Sequence, residues 1–221
     1  SLNAGENSDF TLGKKSLQDG FYEIAVKSFE KFISENSTDA NVLEARFLLG
    51  ESCVRLGRFS DAMAELDVVI NSETRTDFKV DAIYWKSEIY SRTRDYEKAR
   101  ELYKIILADF PKSDYVPYVK YAYAWSFYEE KKYQESLDMF SLFVSEYPGS
   151  ELKEGSELKI GEILFRMKKY NESRAVLARL INETKDTNKA KAAYFYIGED
   201  YYYEKDYKNA LTALKKSLEM G

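Results

Sequence analysis

The chain has 221 residues, of which 44% are hydrophobic and 32% are charged, with three prolines and a formal net charge of −5. This composition excludes a disordered chain, and its acidic balance disfavours a general phosphate-binding surface, so we expect no nucleic-acid partner. Histidine is absent. That excludes the commonest general base and metal ligand, and we predict no metal and no other cofactor.

The single cysteine, Cys53, cannot form an internal disulfide and falls among apolar residues of a predicted helix. A buried packing thiol is therefore the interpretation that we favour over a reactive one. No apolar run approaches the roughly 18 residues that cross a bilayer. The chain begins at Ser1 rather than methionine, so we expect that the native N terminus is missing and that any membrane association depends on an anchor within it.

Along the chain, one pattern recurs six times at a spacing of 37 residues. We call residues at the same place in successive copies a column. The first small column comprises Gly13, Gly50, Ser87, Ala124, Gly161 and Gly198. The second small column comprises Ala25, Ala62, Ala99, Ser136, Ser173 and Ala210. Small side chains at two places in each copy predict two helices in close contact.

The second helix of each copy is predicted to be amphipathic. An aromatic column, Tyr22, Phe59, Tyr96, Tyr133, Tyr170 and Tyr207, precedes the second small column by three residues. A large apolar column, Phe29, Leu66, Tyr103, Phe140, Leu177 and Leu214, follows it by four. Short polar segments such as 56–58 and 130–132 lie between the two helices, so each copy is predicted to form an antiparallel helical hairpin.

Between hairpins, one column contains residues whose side-chain oxygens can cap a helix start. Its members are Asp39, Thr76, Ser113, Ser150 and Thr187. We expect these residues to mark the starts of the first helices. Pro117 lies four residues after Ser113, and from it we predict a later start for that helix than for its counterparts.

These offsets resemble the tetratricopeptide repeat, and the resemblance covers essentially the whole chain. It implies an all-α fold, a right-handed α-α superhelix or solenoid of about six helical hairpins, forming one domain over residues 1–221. The expected repeats span residues 6–42, 43–79, 80–116, 117–153, 154–190 and 191–221. The usual period of the family is about 34 residues. In this chain the extra residues fall in the connections between hairpins.

Two connections, 109–113 and 146–150, contain proline and are similar to those of bacterial cell-envelope members of the family. Those members include the Tol-Pal-associated cell-division coordinator and the lipoprotein of the outer-membrane β-barrel assembly machine. The other connections lack proline. This narrower resemblance implies a periplasmic or outer-membrane-associated protein, with a cytoplasmic location as the alternative.

In this family the first helix of each pair lines the concave surface, so by resemblance its outward residues form the candidate binding site. In the middle repeats these residues are Asp81, Tyr84, Trp85, Glu88, Tyr118, Tyr121, Trp125, Tyr128 and Glu162. Tyrosine and tryptophan provide large contact areas at a low cost in side-chain entropy. We therefore predict a protein or peptide partner with apolar anchors and basic residues, lying across repeats three to five.

Two alternatives stay open for these residues. Tyr84 and Tyr121 have the spacing of core aromatics, so they can serve packing alone. Three glutamates precede arginine by four residues, at Glu51/Arg55, Glu88/Arg92 and Glu162/Arg166. Such pairs contribute about 0.3–0.5 kcal/mol each and would neutralise part of the acidity. The pairing is interrupted at Trp125. Packing and charge pairing therefore explain the outward residues of the fourth repeat less well than those of the other repeats.

We favour a non-enzymatic scaffold for protein–protein interaction. The Lys, Arg and Asn clamp that binds C-terminal carboxylates in the family is replaced here by aromatic and acidic residues. The alternative is a structural solenoid that self-associates, or bridges proteins, through its end repeats or convex surface, because no polar capping helix is apparent after Leu218. Catalysis is not expected, since the chain has neither a Gly-rich phosphate loop nor a nucleophile elbow.

Overall fold

A computed structural model describes residues 8–73 and 78–220 of the chain. In this part the chain forms twelve α-helices and no β-strand. The helices are α1 (Ser8–Gln18), α2 (Tyr22–Glu35), α3 (Val42–Arg55), α4 (Phe59–Ile70), α5 (Lys79–Arg92), α6 (Tyr96–Asp109), α7 (Val116–Glu129), α8 (Tyr133–Glu146), α9 (Lys153–Arg166), α10 (Tyr170–Glu183), α11 (Thr187–Tyr203) and α12 (Tyr207–Glu219). None of these described helices combines the length and apolar character needed to cross a membrane.

The helices are grouped in two compact units, Ser1–Tyr115 and Val116–Gly221. The N-terminal unit contains α1–α6 and the C-terminal unit contains α7–α12. Within each unit the helices pair in chain order as three hairpins, and successive hairpins pack through α2 with α3, α4 with α5, α8 with α9, and α10 with α11. The predicted all-α repeat fold of about six hairpins is confirmed. A single domain with the six repeat boundaries given above stays a prediction.

Close contact within a hairpin depends on the first small column. A Cβ atom added to Gly161 would lie 2.3 Å from Leu177 Cδ2, and one added to Gly198 would lie 2.6 Å from Leu214 Cγ. Both distances are shorter than the non-bonded contacts that Cβ atoms make in proteins, so a larger residue could enter only if its neighbour moved. The first small column therefore interlocks with the large apolar column of the second helix, and the predicted close approach of the two helices is confirmed.

Serine in the second small column adds a hydrogen bond to this steric fit. Ser136 Oγ donates to the carbonyl oxygen of Ala124 at 2.9 Å, and Ser173 Oγ donates to that of Gly161 at 3.0 Å. Both serines are fully buried. A buried hydrogen bond of this kind contributes about 1 kcal/mol. Two hairpins of the C-terminal unit therefore have a hydrogen bond between their helices that alanine could not form.

The first helices begin later than the sequence predicted. Asp39, Ser113 and Ser150 each accept a hydrogen bond from the backbone N–H two residues on, at 2.8, 3.2 and 3.1 Å. The helices that follow begin three residues after these side chains, at Val42, Val116 and Lys153. The three side chains therefore stabilise a turn ahead of the helix, as short polar residues commonly do. The prediction that they cap the helices is wrong.

The cap of α11 is Asp186 and not the predicted Thr187. Thr187 is its first helical residue, and Asp186 accepts from the backbone N–H groups of Asn188 and Lys189 at 2.9 and 3.3 Å. An aspartate is the stronger cap because its charge also interacts with the positive end of the helix dipole. The fifth predicted cap, Thr76, lies outside the described residues.

Pro117 does not delay its helix. α5, α7 and α9 begin at Lys79, Val116 and Lys153, so the start of α7 keeps the 37-residue period. Pro117 is the second residue of α7, and the N–H groups of a first turn have no partner inside the helix. The predicted late start is wrong, because a proline in this turn removes no helical hydrogen bond.

Each hairpin turns through one residue in the left-handed region of backbone space. These residues are Gly20, Gly57, Arg94, Lys131, Lys168 and Lys205, with φ between 60° and 80°. They form a column that the sequence did not reveal, since only its first two members are glycine. A residue with a Cβ atom pays about 1–2 kcal/mol for this conformation, whereas a basic side chain after a helix C terminus gains from the helix dipole.

Replacing the lysine at one of these turns by glycine is expected to stabilise the protein. Lys168→Gly relieves the Cβ strain and should raise the free energy of unfolding by about 1 kcal/mol, measured by urea denaturation. Lys169→Gly is the matched control, because Lys169 has a φ of −89° and carries no such strain. An equal or lower stability for Lys168→Gly would contradict this account of the turn.

Asp200 of α11 is a carboxyl group in a core position. It is fully buried, and neither of its oxygens has a hydrogen-bond partner among the described residues. Its column contains Lys15, Ser52, Ile89, Ser126 and Ile163 in the other five copies. Burial raises the pKa of Asp200 to about 7, with Glu204 and Glu199 adding repulsion and Ser173 and Arg174 opposing the shift.

This buried carboxyl predicts a specific pH dependence of stability. An unfolded aspartate has a pKa near 3.9, so between about pH 4 and pH 7 the folded state binds the additional proton. The free energy of unfolding should therefore fall as the pH rises through this window, by at most about 4 kcal/mol. Asp200→Asn should remove that loss and be the more stable protein at pH 8, with little difference at pH 4.

The measurement is urea denaturation of both proteins at pH 4, 6 and 8. Asp138→Asn serves as the control because Asp138 is an exposed residue of the same unit. If wild type and Asp200→Asn change stability equally with pH, another group is responsible for the dependence.

Candidate functional site

The residues predicted to bind a partner fall in two groups, one in each unit. Asp81, Tyr84, Trp85 and Glu88 lie on α5 of the N-terminal unit. Tyr118, Tyr121, Trp125 and Tyr128 lie on α7, and Glu162 lies on α9, in the C-terminal unit. We call these sets the α5 group and the α7/α9 group.

In the α5 group, two predicted residues contact a tyrosine that the sequence analysis missed. The rings of Tyr84 and Tyr115 stack with centroids 4.2 Å apart, and Tyr115 Oη donates to Asp81 Oδ1 at 2.7 Å. Burial and this hydrogen bond raise the pKa of Tyr115, so its hydroxyl remains a donor. Half of the predicted α5 surface is therefore already engaged by the chain itself.

A signal for Tyr115 existed in the sequence. Phe78 precedes Tyr115 by one period, and it stacks on Phe47, which precedes Tyr84 by one period, with centroids 5.6 Å apart. Two aromatic pairs with the same separation along the chain indicate a recurring contact. They show how the connection before a hairpin packs on the first helix of the hairpin before it.

Trp85 and Glu88, the other two residues of the α5 group, are half-buried. Burial raises the pKa of Glu88, and Arg92 partly opposes this shift. The guanidinium of Arg55 lies 5.0 Å over the ring of Trp85, and Arg55 Nη2 also pairs with Glu51 Oε1 at 3.2 Å. A cation of the chain therefore occupies one face of this tryptophan.

Within the α7/α9 group, the first two tyrosines have different roles. Tyr121 packs edge-on against Phe140 and Phe143, at centroid distances of 5.4 and 6.1 Å, and burial raises its pKa. Tyr118 is 43% exposed, and its hydroxyl donates to Glu151 Oε1 at 3.1 Å. The packing alternative therefore accounts for Tyr121, whereas Tyr118 offers an open face to solvent.

Trp125 and Tyr128 form two walls around a lysine that the sequence analysis missed. Lys159 Nζ lies 4.4 Å from the Trp125 ring centroid and 4.2 Å from that of Tyr128. The same atom pairs with Glu162 Oε2 at 2.6 Å. Lys159 precedes Glu162 by three residues, a spacing that brings side chains together on a helix, so this pair could have been predicted. We call Trp125, Tyr128 and Glu162 the cation cage.

Glu162 is the centre of the charged contacts in the cage. Tyr128 Oη donates to its Oε1, and Arg166 Nη2 lies 3.7 Å from the same oxygen. Burial alone would raise the pKa of Glu162, but hydrogen bonds from Lys159 and Tyr128 outweigh it and the pKa is lowered. The expected Glu162/Arg166 pair is therefore present, and the carboxylate remains ionised in a site that is mostly closed to water.

Cysteine and carboxylate side chains are the metal-binding residue types present among the described residues. Cys53 is buried and burial raises the pKa of its thiol to about 11, so the predicted packing role is confirmed. In residues 8–73 and 78–220 no cluster of three or more Cys, Asp or Glu side chains could hold a metal ion. The α5 and α7/α9 groups thus combine aromatic faces, carboxylates and cations of the chain itself.

Comparison with known families identifies the repeat. Two sequence profiles described as tetratricopeptide repeat match the chain, one at residues 10–76 and the other at residues 81–113, 118–150 and 156–184. Together they cover most of the sequence and both units. A search of curated proteins gave no match.

Several solved structures have a similar fold. The C-terminal part of a TPR repeat-containing protein from Cytophaga hutchinsonii has a TM-score of 0.75 at 17% identity, with 97% of this chain and 84% of that chain covered. BtubC from P. vanneervenii has a TM-score of 0.68 at 13% identity, covering 97% and 91%. YrrB, described as a TPR protein with an unusual peptide-binding site, has a TM-score of 0.65 at 17% identity, covering 89% and 93%. At these identities the likeness shows the fold.

Proposed function

This chain belongs to the tetratricopeptide repeat family, and on that premise we propose that it is a non-enzymatic scaffold that binds a protein or peptide partner. Tetratricopeptide repeat domains generally bind proteins or peptides, and YrrB, with a similar fold, is described as having a peptide-binding site. The proposed surface is the concave one expected from the family, formed by the first helices.

The observation that carries this proposal is the face of α7. Trp125 and Tyr128 are only partly buried, and Tyr118 is exposed, although all three are large aromatic side chains. Large aromatics at a surface are the residues that most often dominate binding energy in protein interfaces. The α7 face therefore supports a binding role more strongly than the α5 face, where Tyr115 already covers Tyr84.

A cell-envelope location is part of this proposal. It is supported by the two proline-containing connections after α6 and α8, which are similar to those of envelope members of the family. The partner would then be another component of an envelope complex.

A direct test uses peptides selected on the whole chain from a random displayed library. The combined Trp125→Ala and Tyr128→Ala variant should bind a selected peptide at least about tenfold more weakly, since truncation of an anchor residue commonly costs 1–2 kcal/mol or more. Isothermal titration calorimetry gives the affinity, and circular dichroism confirms folding. Tyr207→Ala, an exposed tyrosine of a second helix, is the control. Unchanged affinity in the double variant would contradict the proposed surface.

A second candidate function is self-association, and exposed leucines on α12 favour it. Leu211 and Leu218 are 56% and 76% exposed, whereas Ile181, one period before Leu218, packs against the buried cluster of Leu177, Leu180 and Ala193. Exposed apolar groups of this size favour contact with another protein surface. A second copy of the chain would cover them in a homo-oligomer.

Light scattering over a range of concentrations tests this candidate. Wild type should show a mass that rises with concentration, and Leu218→Glu should hold the mass at that of one chain, because a charge on the face opposes burial. Leu142→Glu, at an exposed leucine of α8, should behave as wild type. A constant single-chain mass for wild type would exclude self-association in this range.

A further inference from the structure

The cation cage of the C-terminal unit contains the three features by which proteins recognise an organic ammonium ion. Two aromatic faces, of Trp125 and Tyr128, lie within 4.4 Å of the nitrogen of Lys159, and the carboxylate of Glu162 lies 2.6 Å from it. Aromatic faces carry partial negative charge and attract cations, most strongly when water is displaced. The side chain of Lys159 is only 15% exposed, so water is largely displaced here.

We propose that Trp125, Tyr128 and Glu162 form a receptor for one cationic side chain of the partner, and that Lys159 is an internal occupant that this side chain displaces. The inference rests on the proposed function, because it assigns the chemistry of the partner at that surface. It also defines a regulatory element, since Lys159 competes with the partner for the cage.

Departure of Lys159 would not leave the buried carboxylate without a charge partner. Arg166 Nη2 lies 3.7 Å from Glu162 Oε1, and the hydroxyl of Tyr128 donates to the same oxygen. A buried carboxylate stripped of its only cation is strongly destabilising. Because a second cation and a hydroxyl donor remain, Lys159 can leave the cage at a much smaller cost.

The preference for a cation over an apolar anchor follows from the same contacts. An uncharged side chain would bury the ionised Glu162 and cover the aromatic faces without an opposite charge, whereas an ammonium or guanidinium group satisfies both. The N-terminal unit has a related set, in which Arg55 lies over Trp85 and pairs with Glu51. Both tryptophans of the sequence therefore hold a cation beside a glutamate.

The experiment uses tetramethylammonium as the probe and Trp125 fluorescence as the signal. The chain has two tryptophans, so Trp85→Phe makes Trp125 the single reporter. In this background Lys159→Ala should show a saturable fluorescence change with tetramethylammonium chloride at constant ionic strength. The dissociation constant of the Lys159→Ala protein should be at least about tenfold lower than that of the parent. In the parent, tetramethylammonium can bind only the fraction of molecules in which Lys159 has left the cage.

Matched variants and a matched probe define the site. Adding Tyr128→Ala or Glu162→Gln to Lys159→Ala should abolish the saturable change, while Lys215→Ala, at an exposed lysine of α12, should behave as the parent. Tert-butanol, a neutral molecule of similar shape, should give no saturable change. If tert-butanol binds as tightly as tetramethylammonium, the cage is an apolar pocket and the proposal is wrong.

Two further outcomes are decisive. A folded Lys159→Ala protein, judged by circular dichroism, that gives no saturable change would show that the cage is structural only. Lys159→Ser, which is also small and is polar, is measured in the same way if the alanine variant does not fold. The tetramethylammonium assay needs no partner protein, so its result does not depend on whether a binding peptide can be selected. Conversely, absence of cation binding would contradict the cage and not the proposed scaffold function.

Discussion

The whole fold depends on one steric fit, in which a residue with little or no side chain on the first helix faces a large apolar side chain on the second. The fit is tightest at Gly161 and Leu177, where even a methyl group would collide. The same close approach occurs at Gly13, Gly50 and Gly198, so it limits the separation of the two helices in each of these hairpins. On α5 and α7, the helices with the predicted aromatic faces, the same column contains Ser87 and Ala124, and both are fully buried.

Side-chain size was the feature that made the fold predictable. Close helix contact demands small residues at fixed places, and that demand is visible in the sequence as columns of Gly, Ala and Ser. Helix starts were not predictable in the same way, since Asp39 and Ser150 can cap either a turn or a helix, and only the backbone decides which. The left-handed column was missed for a related reason, because Lys131 and Lys168 adopt a conformation that usually signals glycine.

The sequence predicted which helices carry the candidate site residues, but not which side chains of other helices contact them. Trp125 interrupts a column of glutamates in the sequence, and its ring does lie beside that of Tyr128, the other predicted residue near the end of α7. Their occupant, Lys159, comes from another helix, and a residue's neighbours across helices depend on side-chain direction as well as spacing. The basic character expected of the partner thus has an internal counterpart. The pairing of Lys159 with Glu162 follows from spacing along α9, whereas its position over the two rings of α7 does not.

The period of 37 residues, longer than the family's usual period of about 34, changes how much of the first-helix surface is accessible. Phe78 and Tyr115 belong to the connections that this longer period provides, and they stack on Phe47 and Tyr84. Each ring therefore covers an aromatic side chain of the preceding first helix that a partner could otherwise contact. Leu152, one period after Tyr115, has no aromatic ring to offer. The lengthened connections therefore shield aromatic faces of the N-terminal unit and leave those of α7 without an aromatic cover of this kind.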